Sequence, residues 1–485
     1  MLHPWAVLHT LSSIVLVFAL AMAAPLLLSA SMDDGARFAF EGGMLLAAVA
    51  GAALRYATRG VRRELGARDG FLLVAAGWTM LPAFAAVPLL LYFPDLPFEK
   101  AYFEAVSGLT TTGATVLVGL DALPPSINLW RCQLQWMGGM GIIVLAVAIL
   151  PLLGVGGAQV VRAETPGPMK DNKLTPRIAE TAKGLWTVYA LITLACIVAM
   201  KLAGMSWLDA IMHAFTTMSL GGLSSHDASF LYWNSTTIEF VTIVFMLLAG
   251  MNFATHFLAM RDRSLRVYWS DPEAPPFIGV LIASVLIVSV FLWWRGTYPE
   301  WGEALRYSAF NVISIATTTG YANTDYGLWP VFAPMWMLIL SCFVTCSGST
   351  GAGIKMVRAR LMAQQALREM RRSLHPQAVL PIRLGGRVIE NNVIFAVLAF
   401  MLVYGMSVTV VTMTLTATGL DFVTAFSAAI ACINNMGPGL NEIGPAGNYA
   451  MLTPFQTWVC AATMLLGRLE MFTLIIVLTP GFWRT

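Results

Sequence analysis

Charge is scarce in this chain. Lys, Arg, Asp and Glu make up 11% of its 485 residues, where a soluble domain carries roughly 25%. That shortage excludes a soluble globule, a disordered chain and a coiled coil. Cysteine is also sparse. The six cysteines (Cys132, Cys196, Cys342, Cys346, Cys432 and Cys460) lie in or beside apolar segments and lack zinc-ribbon spacing. A secreted disulfide scaffold is excluded, and the cysteines read as packing residues. No Lys or Arg precedes the first apolar run, which is longer than a signal-peptide core, so Ala21-Met22-Ala23-Ala24 reads as part of a span rather than a cleavage site. Alternating segments of barrel length are missing too. What remains, with 58% hydrophobic residues and a mean hydropathy of +0.72, is an all-α polytopic membrane protein.

Ten apolar stretches are long enough to cross a bilayer of roughly 30 Å. They cover about 5–30, 38–57, 70–94, 128–154, 183–204, 236–260, 277–297, 332–360, 389–418 and 454–480. The basic residues sort the loops between them. Of 29 Lys and Arg, 22 fall in alternate loops or at the C-terminus, and six (Arg37, Lys100, Arg131, Lys201, Arg295, Arg306) fall on the opposite side. Arg468 lies inside the last span. The positive-inside bias then places both termini in the cytoplasm.

Four shorter apolar segments, about 98–112, 207–221, 305–319 and 422–436, do not fit as spans. Each lies between two spans that meet on the outer side, so each must enter and leave by the same face, as a re-entrant pore loop. All four end alike, at Gly113, Gly222, Gly320 and Gly437, which are 109, 98 and 117 residues apart. Twelve positions before these glycines stand Ala101, Ala210, Ser308 and Ala425, all small. Fifteen before stand Phe98, Trp207, Leu305 and Phe422, all large and apolar. The chain therefore reads as four span–pore-loop–span repeats around a central pore, plus two extra N-terminal helices. The expected divisions are 1–69 for the N-terminal pair, then repeats at 70–154, 183–260, 277–372 and 389–480. Four short helices with inward C-termini would place partial negative charge at the membrane centre. A ring of backbone carbonyls after them could replace the water shell of a monovalent cation.

Several segments together resemble the TrkH/KtrB/HKT superfamily of potassium transporters, and within it the TrkH branch. They are Leu109–Thr115, Gln135–Gly141, Pro166–Asp171, Arg177–Thr181, Gly222–Asp227, Asn434–Leu440 and Gly467–Thr473. The resemblance covers essentially the whole chain. It implies K⁺ uptake across the bacterial inner membrane through a selectivity filter with one glycine per repeat. The filter residues would be Thr111, Thr112 and Gly113; Leu220, Gly221 and Gly222; Thr318, Thr319 and Gly320; and Asn435, Met436 and Gly437. Repeats two and four depart from the Thr-Thr-Gly form, so the expected filter is fourfold only in its backbone. K⁺, with Rb⁺ and less readily Na⁺, would be the transported ion. No resident cofactor, catalytic residue or nucleic-acid partner is expected.

The eighth span is interrupted by Ser347, Gly348, Ser349, Thr350, Gly351, Ala352 and Gly353, a composition that breaks a helix. Gly353 is followed by Ile354, not Lys, so this is no phosphate loop. By resemblance it is an intramembrane gate below the filter, facing Arg468. A charge at mid-span faces a cavity or a partner, and Glu470 is too close in sequence to be that partner. The basic segment 355–387 could meet anionic lipid. The resemblance adds docking of a cytosolic TrkA-like RCK ring that binds ATP, ADP or NAD, and a homodimer. Two rival readings are weaker. An intramembrane serine protease using Ser224 or Ser225 with His256 leaves three repeats unexplained. A non-conducting scaffold for cytosolic partners predicts that the glycines tolerate substitution.

Overall fold

The computed structural model describes residues 3–61, 65–144 and 178–484. The Pro166–Asp171 motif, most of the loop that contains it and the inner end of the fourth expected span lie outside these residues. The described chain is predominantly helical, and its long helices are apolar on the outside. In Asn391–Ala417 only 22% of the most apolar window is buried, at a hydropathy of 2.4. Leu402, Met406, Val410 and Met413 stand on its exposed face at helical spacing. Such a surface is stable against lipid, not water.

Among the described residues, six helices are long and apolar enough to cross a membrane: Pro4–Met32, Arg37–Ala57, Arg68–Tyr92, Ala182–Leu202, Ala274–Trp294 and Asn391–Ala417. Two further crossings expected as straight spans are sharply bent. Thr236–Gly250 and Phe253–Asp262 meet at 97°, and Pro454–Arg468 and Phe472–Leu478 meet at 115°. Asn252 explains the first bend: its side chain accepts from the Ala254 N–H and caps a new helix in mid-segment. At the second, Glu470 and Met471 both take positive φ, 53° each. The break in the eighth expected span runs from Cys342 to Lys355, between Phe332–Ser341 and Met356–Leu374, and is wider than the expected 347–353. A Gly385-Gly386 hairpin between Arg383–Leu384 and Arg387–Val388 follows, which helical periodicity does not signal.

The four short helices are Phe98–Leu109, Trp207–Met218, Trp301–Ala316 and Phe422–Ile433. The third starts four residues earlier than its sequence alignment implies. Ala101, Ala210, Ser308 and Ala425 are all fully buried. Phe98, Trp207 and Phe422 are 47%, 59% and 64% exposed, while Leu305 is half-buried, so in three of the four repeats the aligned small and large positions face opposite environments.

Packing follows a cyclic order. The helix after each short helix rests on the short helix of the next repeat. Pro125–Val144 lies on Trp207–Met218, Thr236–Gly250 on Trp301–Ala316, Phe332–Ser341 on Phe422–Ile433, and Pro454–Arg468 back on Phe98–Leu109. The two N-terminal helices pack on each other and on Ala67–Tyr92, outside this circle.

Candidate functional site

Each short helix ends with the same closure. The N–H of the residue before the aligned glycine donates to the carbonyl five residues back: Thr112 to Ser107 (2.8 Å), Gly221 to Thr216 (2.8 Å), Thr319 to Ser314 (2.8 Å) and Met436 to Ala431 (2.9 Å). The residue two before the glycine is left-handed in all four: Thr111 (φ 54°), Leu220 (53°), Thr318 (62°) and Asn435 (48°). This is a Schellman closure, which normally takes glycine at that place. Only Asn435 has a side chain suited to it, and two of the others are β-branched. The turn sends the chain back alongside its own helix. Four such outliers in register are held by tertiary packing and mark a site where strain is maintained.

The glycines follow with φ of 84° at Gly113, 74° at Gly222, 87° at Gly320 and 94° at Gly437. Left-handed backbone explains half of the requirement for glycine. The neighbours explain the rest. A β-carbon on Gly113 would overlap the Gly221 carbonyl oxygen, one on Gly222 that of Thr319, and one on Gly320 that of Met436. On Gly437 it would stand 2.7 Å from the Thr112 oxygen. These contacts form a closed circuit. The structure thus brings all twelve expected residues together, each glycine against the next repeat's carbonyl. On the side of the ring away from the short-helix ends opens a cavity of about 100 Å³ that all four glycines line.

The ring is braced in three different ways across the four repeats. The hydroxyls of Thr110 and Thr112 bond at 2.7 Å, and those of Thr317 and Thr319 at 2.8 Å. Repeat two has no such pair. There Gln135 donates Nε2 to the Gly221 carbonyl (2.7 Å) and accepts the Leu223 N–H (3.1 Å). It fills the space a Gly221 side chain would need. In repeat four Asn435 donates Nδ2 to Thr112 Oγ1 (3.0 Å) and to the Met464 carbonyl (2.9 Å). Gly138 and Gly467 admit the Leu109 and Ile433 carbonyls, each four residues before its ring glycine, where a β-carbon would collide.

On the helix-end side of the ring lies the irregular segment 342–355. Thr350 Oγ1 donates to the Met218 carbonyl (2.9 Å), and the Ala352 N–H donates to Thr318 Oγ1 (3.2 Å). A side chain on Gly351 would meet Leu220 and the Thr317 carbonyl. Ser347, Ser349, Thr350 and Ala352 are buried, Gly348 is exposed, and Gly348 and Gly353 have positive φ. Arg468 is 1% exposed and donates to the carbonyls of Thr350 and Gly138, 3.0 Å each, with its guanidinium over the Trp78 ring. It holds the segment to the helix of repeat one. Glu470 instead pairs with Arg358 at 2.9 Å.

Sequence reasoning assigned no role to Gln135, Gly138, Glu104 or Arg131, and it placed Lys355 in a basic segment meeting lipid or a cytosolic partner, whereas Lys355 is buried. Lys355 Nζ donates to the Gly351 carbonyl. Glu104 and Arg131 form an ion pair at 2.8 Å, each side chain 1% exposed. A glutamate inside an apolar segment that also holds the aligned glycine was the available signal. The protease reading fails on geometry. His256 bonds the Leu248 carbonyl and the Tyr268 hydroxyl (2.8 Å each), while Ser224 bonds His213. At the edge of the cavity that the ring glycines line, His226 pairs with Asp121 and with Asp209 (3.2 Å) and stacks on Tyr232. Burial acts to lower its pKa, but the two carboxylates outweigh this and hold it above the ordinary imidazole value.

A family model described as a cation transport protein, TrkH, matches residues 36–481. The chain belongs to the TrkH family. It is 45% identical over 484 residues to the Trk system potassium uptake protein TrkH of Salmonella typhimurium, with all of both chains covered. It is 44% identical over the same length to TrkH of Escherichia coli K12, again with full coverage. The crystal structure of the potassium transporter TrkH from Vibrio parahaemolyticus superposes with a TM-score of 0.91 at 41% identity, covering 100% of both chains. As a TrkH-family member with apolar spanning helices, the protein is a multi-pass membrane transporter, not an enzyme.

Proposed function

We propose that this protein takes up K⁺ across the bacterial inner membrane and selects it at the ring of Gly113, Gly222, Gly320 and Gly437. The observation that carries the reading is the closed circuit of glycine-to-carbonyl contacts, in a chain whose relatives are named potassium uptake proteins. Carbonyl oxygens held at fixed spacing replace the hydration shell of a weakly hydrated cation. The residues before each glycine (Thr111 and Thr112, Leu220 and Gly221, Thr318 and Thr319, Asn435 and Met436) supply the turn and the oxygens.

In this reading the chain crosses the membrane ten times, with four re-entrant loops in its four repeats and both termini in the cytoplasm. The segment Ser347–Gly353 is the gate, and Arg468 fastens it under the ring. The basic stretch 355–387, apart from the buried Lys355 and Arg358, faces the cytoplasm, where a nucleotide-binding RCK ring of the TrkA kind controls the gate. The assembly is a homodimer with one pore per protomer.

The test is radiolabelled Rb⁺ uptake into proteoliposomes, with K⁺ and Na⁺ as competitors, for wild type and Gly113→Ser. Uptake displaced by K⁺ and weakly by Na⁺, with the variant admitting Na⁺, is expected. No uptake by wild type, even with the cytosolic ring and nucleotide present, would refute the reading.

A further inference from the structure

Behind the ring, each short helix is tied to its own outgoing chain by a polar side chain nine or ten residues before the ring glycine. In repeat two His213 Nε2 bonds Ser224 Oγ at 3.0 Å. In repeat three Asn311 donates to Asn323 at 2.6 Å. In repeat four Ser427 Oγ accepts the Leu440 N–H at 2.9 Å. In repeat one the residue is Glu104, which accepts from Thr115 Oγ1 (3.0 Å) and the Val116 N–H (2.9 Å).

The tie in repeat one differs in chemistry and reach. Arg131 Nε donates to Glu104 at 2.8 Å, and Nη2 to Thr115 Oγ1 at 3.1 Å. Its Nη1 donates to Asn128 Oδ1 at 3.0 Å and to the Ser224 carbonyl at 3.2 Å. Thr115 and Ser224 each stand two residues beyond a ring glycine, on adjacent repeats. One planar group therefore spans from the first outgoing chain to the second, at the wall of the cavity beside the ring.

A buried ion pair adds little net stability over an apolar pair of the same volume, so stability alone does not account for it. A guanidinium offers donors in a fixed fork, which an ammonium cannot reproduce.

We propose that Arg131 is a positioning residue for ion selection, its fork setting the spacing between the outgoing chains beyond Gly113 and Gly222. The proposal rests on the ring being the ion path. Its substrate consequence is discrimination between K⁺ and Na⁺, not transport as such.

The experiment compares the full-length wild type, Arg131→Lys and Thr115→Val in proteoliposomes. It reads the Na⁺ and K⁺ concentrations that halve Rb⁺ uptake. Arg131→Lys keeps a charge beside Glu104 and loses the fork, so the ratio is expected to move roughly tenfold toward Na⁺. Thr115→Val keeps both charges and removes one shared hydroxyl, so a smaller shift in the same direction is expected. If Arg131→Lys does not fold, Thr115→Val decides alone. Less uptake of both ions at an unchanged ratio, in every variant that folds, would overturn the proposal. Wild type without K⁺-displaced uptake would overturn the reading beneath it as well, which separates the two failures.

Discussion

Repeats one and three, set beside repeats two and four, show which part of the ring is fixed. The backbone is the same in all four, with a left-handed residue, one further residue and a left-handed glycine. The side chains are not. Repeats one and three brace the turn locally, hydroxyl to hydroxyl. Repeats two and four brace it from a distance, through Gln135 on a neighbouring helix and through Asn435 reaching to Thr112. The fold therefore conserves a main-chain path and meets its hydrogen-bond requirement by whatever side chain is within reach.

The strongest way to break this equivalence is alanine at each ring glycine. A left-handed alanine alone costs about 1–2 kcal/mol. At Gly113, Gly222 and Gly320 the added carbon also overlaps a carbonyl oxygen outright, so K⁺ uptake should fall sharply and what remains should admit Na⁺, as expected for Gly113→Ser. At Gly437 the nearest oxygen is 2.7 Å away, so Gly437→Ala should keep the most uptake of the four. Equal loss at all four would contradict this order. Next in size is Arg468→Met, which removes the two bonds holding Thr350 to Gly138. Bonds to a charged group contribute about 1.5–3 kcal/mol each, so uptake without the cytosolic ring should rise by roughly tenfold or more. Unchanged or lower uptake in well-folded protein would argue against a restraining role.

The smallest expected effects sharpen the comparison itself. Gln135→Leu leaves the Gly221 carbonyl and the Leu223 N–H without their partner. It should destabilise the protein by about 1–3 kcal/mol per buried group. Thr317→Val removes a hydroxyl that serves only its own repeat, at a cost of about 1 kcal/mol. Thermal unfolding in lipid nanodiscs should rank the two in that order. The reverse order would mean that local bracing is the stronger kind.

Much of this was legible in the sequence because repetition removes coincidence. One Thr-Gly cluster ends many helices, whereas four in register, with small residues twelve positions back and large ones fifteen back, specify a buried position in every repeat and an exposed one in three of them. The broken eighth span was legible from its glycines and hydroxyls, though its extent was not, since Cys342–Cys346 and Ile354–Lys355 carry no breaking composition. The bends at Asn252 and at Glu470–Met471 were hidden because the hydropathy of each segment runs through them. Glu104 and Arg131 were hidden for another reason. They are 27 positions apart, and only the return of the chain beyond Gly113 makes them neighbours.

The contact between Gly437 and Thr112 has a consequence for how the protein is made. It joins the last repeat to the first, across more than three hundred residues that leave the ribosome in between. Nearly the whole chain must be inserted before the circuit can close, so the site is absent at every earlier stage of synthesis. A product truncated before the fourth repeat would carry three glycines and no closed ring, however well its other helices were seated. Assembly itself thus keeps an incomplete chain from presenting a finished opening to the membrane.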